Sequence, residues 1–212
     1  MKRILQFITN GETVNDIVDQ VRRVLEGGCK WIQLRMKDFD DKEIISAIEQ
    51  IKPMCATHQA TLIMNDRVDL AKIYNLDGVH LGREDMCIPE ARQILGDNAI
   101  IGATANTFEE VLELSQQSVN YFGIGPMRYT DTKKNLRPFI GLTGYHDIVE
   151  SMRQTDITKP AVAIGGITND DVYDLLDTGL WGVAVSSAIA KATDITQATA
   201  KIMKIVNEFP EI

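Results

Sequence analysis

Short apolar runs recur along the chain, with amphipathic stretches between them. The runs are Ile4 to Thr9, Trp31 to Met36, Thr61 to Met64, Gly78 to Gly82, Ile100 to Ala103, Tyr121 to Gly125, Ala161 to Gly165 and Gly182 to Ser186. Their hydrophobicity is continuous rather than alternating. That pattern belongs to strands covered on both faces, and so to parallel strands joined by helical crossovers. In the first intervening stretch Val14, Ile17, Val18, Val21, Val24 and Leu25 fall three or four residues apart and predict a helix with one apolar stripe. Thr13-x-x-Asp16, Thr107-x-x-Glu110 and Thr168-x-x-Asp171 predict helix starts, and Gly27-Gly28 and Thr178-Gly179 predict helix ends.

Eight such units in 212 residues predict an α/β protein, a single-domain (β/α)8 barrel over residues 1–212, near the short end of the size range for that fold. The competing architecture is an open doubly wound sheet. Against it, no G-x-G-x-x-G fingerprint follows the first strand. No linker rich in Pro and Ser divides the chain.

Composition narrows the function classes. With 44% hydrophobic and 25% charged residues the chain reads as globular, and no apolar run approaches the ~20 residues of a membrane span. The opening Met1 to Thr9 has too short an apolar stretch for a signal peptide, so the cytoplasm is the expected compartment. Cys29, Cys55 and Cys87 are odd in number and widely spaced, which excludes a disulfide framework or a zinc knuckle. A formal net charge of −8 argues against a non-specific nucleic-acid or acidic-membrane binder. An anionic ligand therefore needs a local basic cluster, and the placement of Arg35, Lys37, Lys133 and Lys134 matters more than the total.

In either α/β architecture function sits at the carboxyl ends of the strands. Arg35 and Lys37 follow the second predicted strand, Asn65 and Asp66 the third, Asp85 the fourth and Thr104 the fifth. Thr130 to Lys134 follow the sixth, Gly165 and Gly166 the seventh, Ser186 and Ser187 the eighth. Asp66 and Asp85, from neighbouring strand ends, suit Mg2+, which takes one or two carboxylates and leaves its other positions to water and substrate phosphate. The competing role for Asp66 is capping of the helix that follows. Gln33, Arg35 and Lys37 alternate at period two; Arg offers phosphate a fork and Lys a point charge. Solvated pairing of these cations with Asp38 or Asp40 is the alternative. Glycine at 165 and 166 lets backbone approach an anion, although a plain tight turn also explains it. His80, inside a strand, reads as a hydrogen-bonded barrel residue.

The ordered set Gln33-Leu34-Arg35-Met36-Lys37, Asn65-Asp66, Gly78 to Asp85, Gly125-Pro126 followed by Thr130-Asp131-Thr132-Lys133, Ile164 to Ile167 and Ser186-Ser187 resembles the thiamine phosphate synthase family over nearly the whole chain. The resemblance implies a Mg2+-dependent transferase. It would join 4-amino-2-methyl-5-hydroxymethylpyrimidine diphosphate to 4-methyl-5-hydroxyethylthiazole phosphate, releasing pyrophosphate and forming thiamine phosphate. It further implies Asp66 and Asp85 as metal ligands and Arg35, Lys37 and Lys133 as catalytic residues. Arg35, Lys37, Asn65 and Lys133 would hold the diphosphate or pyrimidine, with Gln33 near the ring. Thr130, Thr132, Gly166, Ser186 and Ser187 would take the thiazole phosphate, and Leu34, Met36, Thr104 and Asp131 complete the substrate-binding set. The chain departs from the family pattern at Arg83, where Gln is usual, at Thr104, where Ser is usual, and at Ala105-Asn106, where a His is common at the second position. Two other readings stay open at this point: a thiazole tautomerase-like isomerase on the same scaffold, and a non-catalytic phosphometabolite-binding barrel. A homo-oligomer is also left open.

Overall fold

In the computed structural model, residues 1–129 and 138–211 are described. Eight strands, β1 (Ile4–Ile8), β2 (Trp31–Leu34), β3 (Thr61–Asn65), β4 (Gly78–Leu81), β5 (Ile100–Ala105), β6 (Tyr121–Ile124), β7 (Ala161–Ile164) and β8 (Gly182–Val185), pair in parallel in sequence order. β8 pairs with β1 and closes the barrel. The helices are α1 (Val14–Glu26), α2 (Asp41–Thr57), α3 (Val68–Ile73), α4 (Ile88–Leu95), α5 (Phe108–Ser115), α6 (Gly141–Gln154), α7 (Val172–Asp177), α8 (Ser187–Ala190) and α9 (Ile195–Glu208). The apolar runs thus form the strands at the expected positions, and the closed (β/α)8 barrel is confirmed. β2 ends two residues earlier than expected, leaving Arg35 to Lys37 in a loop.

Helix starts follow local chemistry. Thr13 and Asp16 form a reciprocal capping box at α1, whose stripe buries Ile17, Val21, Val24 and Leu25. At α5 the pattern is only half realised. Thr107 accepts from the Glu110 N–H, but the Glu110 carboxylate reaches one residue further back, to the Asn106 N–H at 2.7 Å, and also holds Arg83 at 2.7 Å.

Two apolar cores result. The larger lies between sheet and helices. The smaller fills the barrel and contains Ile8, Ile63, Tyr121, Val162, Trp181 and Ala184, with Trp31 packed against it. Trp31, Tyr121 and Trp181 meet edge to face. A barrel interior is too narrow for rings on every strand, so glycine faces them: a Cβ at Gly102 would strike the Tyr121 ring, and one at Gly123 would lie 2.7 Å from His80 Cε1. Both tryptophans sit at the amino ends of their strands and plug that end. The carboxyl ends are left for polar groups.

Candidate active site

The end of β3 presents Asp66 in a left-handed conformation, φ +64°. Outside glycine that geometry is costly and is commonly held where function needs it. Asp66 does not cap the next helix: Arg67 is at the N-cap of α3 and makes no side-chain cap bond. The Asp66 carboxylate instead takes Lys37 Nζ at 2.7 Å and lies against Asp85. Lys37 thus reaches across to β3 rather than pairing with Asp38 or Asp40. Asp85 is folded back over the end of β4, its Oδ2 accepting from the Gly82 N–H at 2.5 Å, and a Cβ at Gly82 would sit 2.8 Å from that oxygen. Burial pushes the Asp66 carboxyl up from its ordinary range; the neighbouring Asp85 adds to the push and Lys37 opposes it.

Arg35 is placed by Thr9, whose Oγ1 accepts from the Arg35 N–H at 2.8 Å and donates to the Arg35 carbonyl at 3.0 Å. That side chain continues the β1–β2 pairing past the end of the strand. Leu34 and Met36, by contrast, are buried in the helix-facing core, so only their backbone is available to the mouth. Just inside, Gln33 and Asn65 are buried, and Gln33 Nε2 and Asn65 Nδ2 have no hydrogen-bond partner among the described residues. A buried donor left unused costs about 1–3 kcal/mol, which suits a site that receives an acceptor-rich ligand.

Beneath them a polar chain crosses the barrel. Gln6 Nε2 donates to Tyr121 Oη at 2.9 Å, Tyr121 Oη lies 2.9 Å from His80 Nδ1, and His80 Nε2 lies 2.9 Å from Thr104 Oγ1. His80 is the hydrogen-bonded barrel residue its sequence position implied. Threonine retains the hydroxyl that the chain needs at 104.

On the other side of the mouth, Gly165 and Gly166 both have positive φ, +88° and +72°. Their missing side chains answer to the neighbouring loop, since a Cβ would lie 2.7 Å from Pro126 Cβ at the first and 2.5 Å from Arg128 Cγ at the second. Ligand approach and a tight turn are the two roles the sequence offers for these glycines; the structure adds packing against the loop after β6. Arg128 belongs to no sequence motif; it bonds Gly166 O and forks onto Asp171. Asn106, another departure from the family pattern, donates to Gly125 O at 2.8 Å and Pro138 O at 3.1 Å. Ser186 stands at the N-cap of α8, and Ser187 Oγ accepts from Asn10 Nδ2 at 3.2 Å. Thr130, Asp131, Thr132, Lys133 and Lys134 lie outside the described residues.

Among the described residues no three His, Cys, Asp or Glu side chains gather as a ligand set. The available acidic donors are Asp66 and Asp85. Two carboxylates held together, one of them pushed toward its neutral form, fit a small hard cation that draws the rest of its shell from water and phosphate.

Charge of both signs at the open end of a barrel, with the opposite end plugged by aromatic rings, defines a (β/α)8-barrel enzyme that works at its carboxyl rim. The family model described as Thiamine monophosphate synthase matches residues 5–189. The chain is similar to a thiamine-phosphate synthase of Bacteroides fragilis, 48% identical over 201 residues covering 95% of this chain and 98% of that protein. It is also similar to one of Pyrococcus abyssi, 37% identical over 207 residues covering 98% and 97%. Its structure resembles that of a thiamine phosphate pyrophosphorylase from Pyrococcus furiosus, with a TM-score of 0.85 and 38% identity over 97% of this chain and 96% of that one. The chain belongs to the thiamine monophosphate synthase family.

Proposed function

We propose that this transferase joins 4-amino-2-methyl-5-hydroxymethylpyrimidine diphosphate to 4-methyl-5-hydroxyethylthiazole phosphate, giving thiamine phosphate and pyrophosphate. The observation that carries the reading is the contact of Lys37, Asp66 and Asp85 at one rim of a barrel of this family. A single mouth with cation, carboxylates and buried amide donors suits a diphosphate leaving group and a neutral ring together.

In this reading Asp66 and Asp85 hold Mg2+, and the ion supplies neutralisation of charge on the leaving pyrophosphate. Arg35 and Lys37 bind the same diphosphate and stabilise charge as the C–O bond breaks. Gln33 and Asn65 orient the pyrimidine and its diphosphate through the amide donors that no protein group uses. The aminopyrimidine methylene supports positive charge, so diphosphate departure runs ahead of C–N bond formation and no protein nucleophile is required. Gly166, Ser186 and Ser187 hold the thiazole phosphate and bring the ring nitrogen over the methylene, the proximity part of catalysis. Lys133, with Thr130 and Thr132, serves the phosphates from the loop after β6. Three free cysteines, two of them buried, fit the reducing cytoplasm, and no helix among the described residues is long and apolar enough to cross a membrane.

The test is formation of thiamine phosphate and pyrophosphate from both substrates, with and without Mg2+. Product that needs both substrates and the ion is expected. Isomerisation of a thiazole without pyrophosphate release, or binding without turnover, would replace the reading.

A further inference from the structure

The loop after β6 and the turn after β7 are joined by one side chain. Arg128 Nη1 donates to Gly166 O and to Asp171 Oδ2, each at 2.6 Å, and Nη2 donates to Asp171 Oδ1 at 2.5 Å. The backbone adds to the join: Met127 N donates to Gly165 O at 2.9 Å and Arg128 N to the same oxygen at 3.3 Å. The carbonyls of Gly165 and Gly166 therefore both face the β6 loop. A trans peptide is planar, with its N–H antiparallel to its C=O. The N–H groups of Gly166 and Ile167 must then point away from that loop, and no described residue accepts from either. Successive N–H groups exposed by positive-φ residues form an anion-binding concavity.

Asp171 makes the arrangement electrostatically delicate. Its Oδ2 also accepts from the Thr168 N–H and hydroxyl, each at 2.7 Å, so a carboxylate is held beside the turn. A bidentate guanidinium cancels that charge beside the turn, so that it does not repel an anion bound on the N–H groups. The carboxyl is pushed down to about 2, chiefly by the Arg128 hydrogen bonds, so the pair is ionised throughout the physiological range.

We infer that Arg128 is a positioning residue for phosphate: it turns the Gly166 and Ile167 N–H groups toward the phosphate of the thiazole substrate and screens that phosphate from Asp171. The inference rests on the placement of the thiazole phosphate at Gly166 proposed above. Arg128 acts through the backbone and through Asp171, and touches no reacting atom.

The experiment compares calorimetric binding of 4-methyl-5-hydroxyethylthiazole phosphate with that of the alcohol lacking the phosphate, in wild type, Arg128→Met, Arg128→Lys and Asp171→Asn, alongside the KM of each substrate. In Arg128→Met the phosphate ligand is expected to lose about tenfold or more in affinity, the scale of a lost charged hydrogen bond, while the alcohol binds as it does to wild type. The KM for the thiazole phosphate should rise by a similar factor and that for the diphosphate substrate should stay put. Arg128→Lys, which keeps the charge without the fork, should fall between. Asp171→Asn should weaken phosphate binding less than Arg128→Met, because it removes the repulsive charge along with the clamp. Equal losses for phosphate and alcohol, or an unchanged phosphate affinity, would overturn the role. Should Arg128→Met fail to fold, Arg128→Lys and Asp171→Asn carry the same comparison. A wild-type protein that binds no thiazole phosphate would sink the site placement itself, which keeps the two failures distinguishable.

Discussion

Lys37 Nζ lies 2.7 Å from Asp66 Oδ2, so the loop after β2 and the end of the neighbouring strand β3 are joined at the barrel mouth by one ion pair. The lysine side chain is 45% exposed. The Asp66 side chain is 22% exposed, so water reaches the pair mainly from the lysine side and screens part of its contribution to stability. Its place at the rim, with Asp66 in a left-handed conformation that has no capping role, gives it meaning for chemistry instead.

Replacing Asp66 with alanine should therefore spare the fold and the second substrate. Turnover in Asp66→Ala is expected to fall by about a hundredfold or more, the scale of a lost metal or electrostatic contribution. Affinity for thiazole phosphate should stay near wild type if, as proposed, the carboxylate serves the diphosphate. Steady-state rates across a Mg2+ series and direct thiazole phosphate titration separate the two, and unchanged turnover would remove Asp66 from the metal site.

The buried chain Gln6–Tyr121–His80–Thr104 should respond to deletion of one hydroxyl. Tyr121→Phe keeps the edge-to-face contacts with Trp31 and Trp181 but leaves Gln6 Nε2 and His80 Nδ1 without their shared partner. A cost of about 1–3 kcal/mol is expected for the stranded groups, read as a lowered denaturant midpoint at unchanged slope. A midpoint equal to wild type would show that the chain is not energetically connected.

Acid stability carries the signature of Asp171. Arg128 holds its carboxyl at about 2 in the folded protein, against about 3.9 for an unfolded aspartate. The folded state therefore binds the proton less readily. The resulting stabilisation is present in full above about pH 4 and is lost as pH falls toward 2. In Asp171→Asn the acid limb of stability against pH should be flatter over that interval. Identical limbs in the two proteins would contradict the pairing.

Thiol reactivity offers an inexpensive check on packing. Cys29 and Cys55 are buried and Cys87 is exposed. Burial pushes the Cys29 thiol up to about 11 and the Cys55 thiol up to about 12, so neither supplies thiolate at neutral pH. One thiol per native chain should react promptly with an aromatic disulfide, and Cys87→Ser should abolish that phase. All three should react in denaturant. Rapid labelling of more than one in the native protein would mean that a core is open.

Much of the barrel could be read from the chain because its strands obey a one-dimensional rule. A strand buried on both faces is apolar at most of its positions, and a crossover helix repeats its apolar residues every three or four; both conditions are visible without knowing what packs on what. The rim assignment followed from the same rule, since a polar residue just after such a run has only the carboxyl end to occupy. Asp66, Asp85 and Lys37 were placed at the rim in that way. The strand order closing β8 onto β1, the ion pair joining residues 37 and 66, and the hydroxyl–imidazole chain from Gln6 to Thr104 depend on contacts between segments far apart in sequence, and local pattern holds no record of them. The glycines at 165 and 166 show the difference most plainly. Their identity marks a backbone that cannot carry a side chain, but only the packed structure shows that Pro126 and Arg128 occupy the space, because excluded volume is a property of neighbours in three dimensions and not of order along the chain.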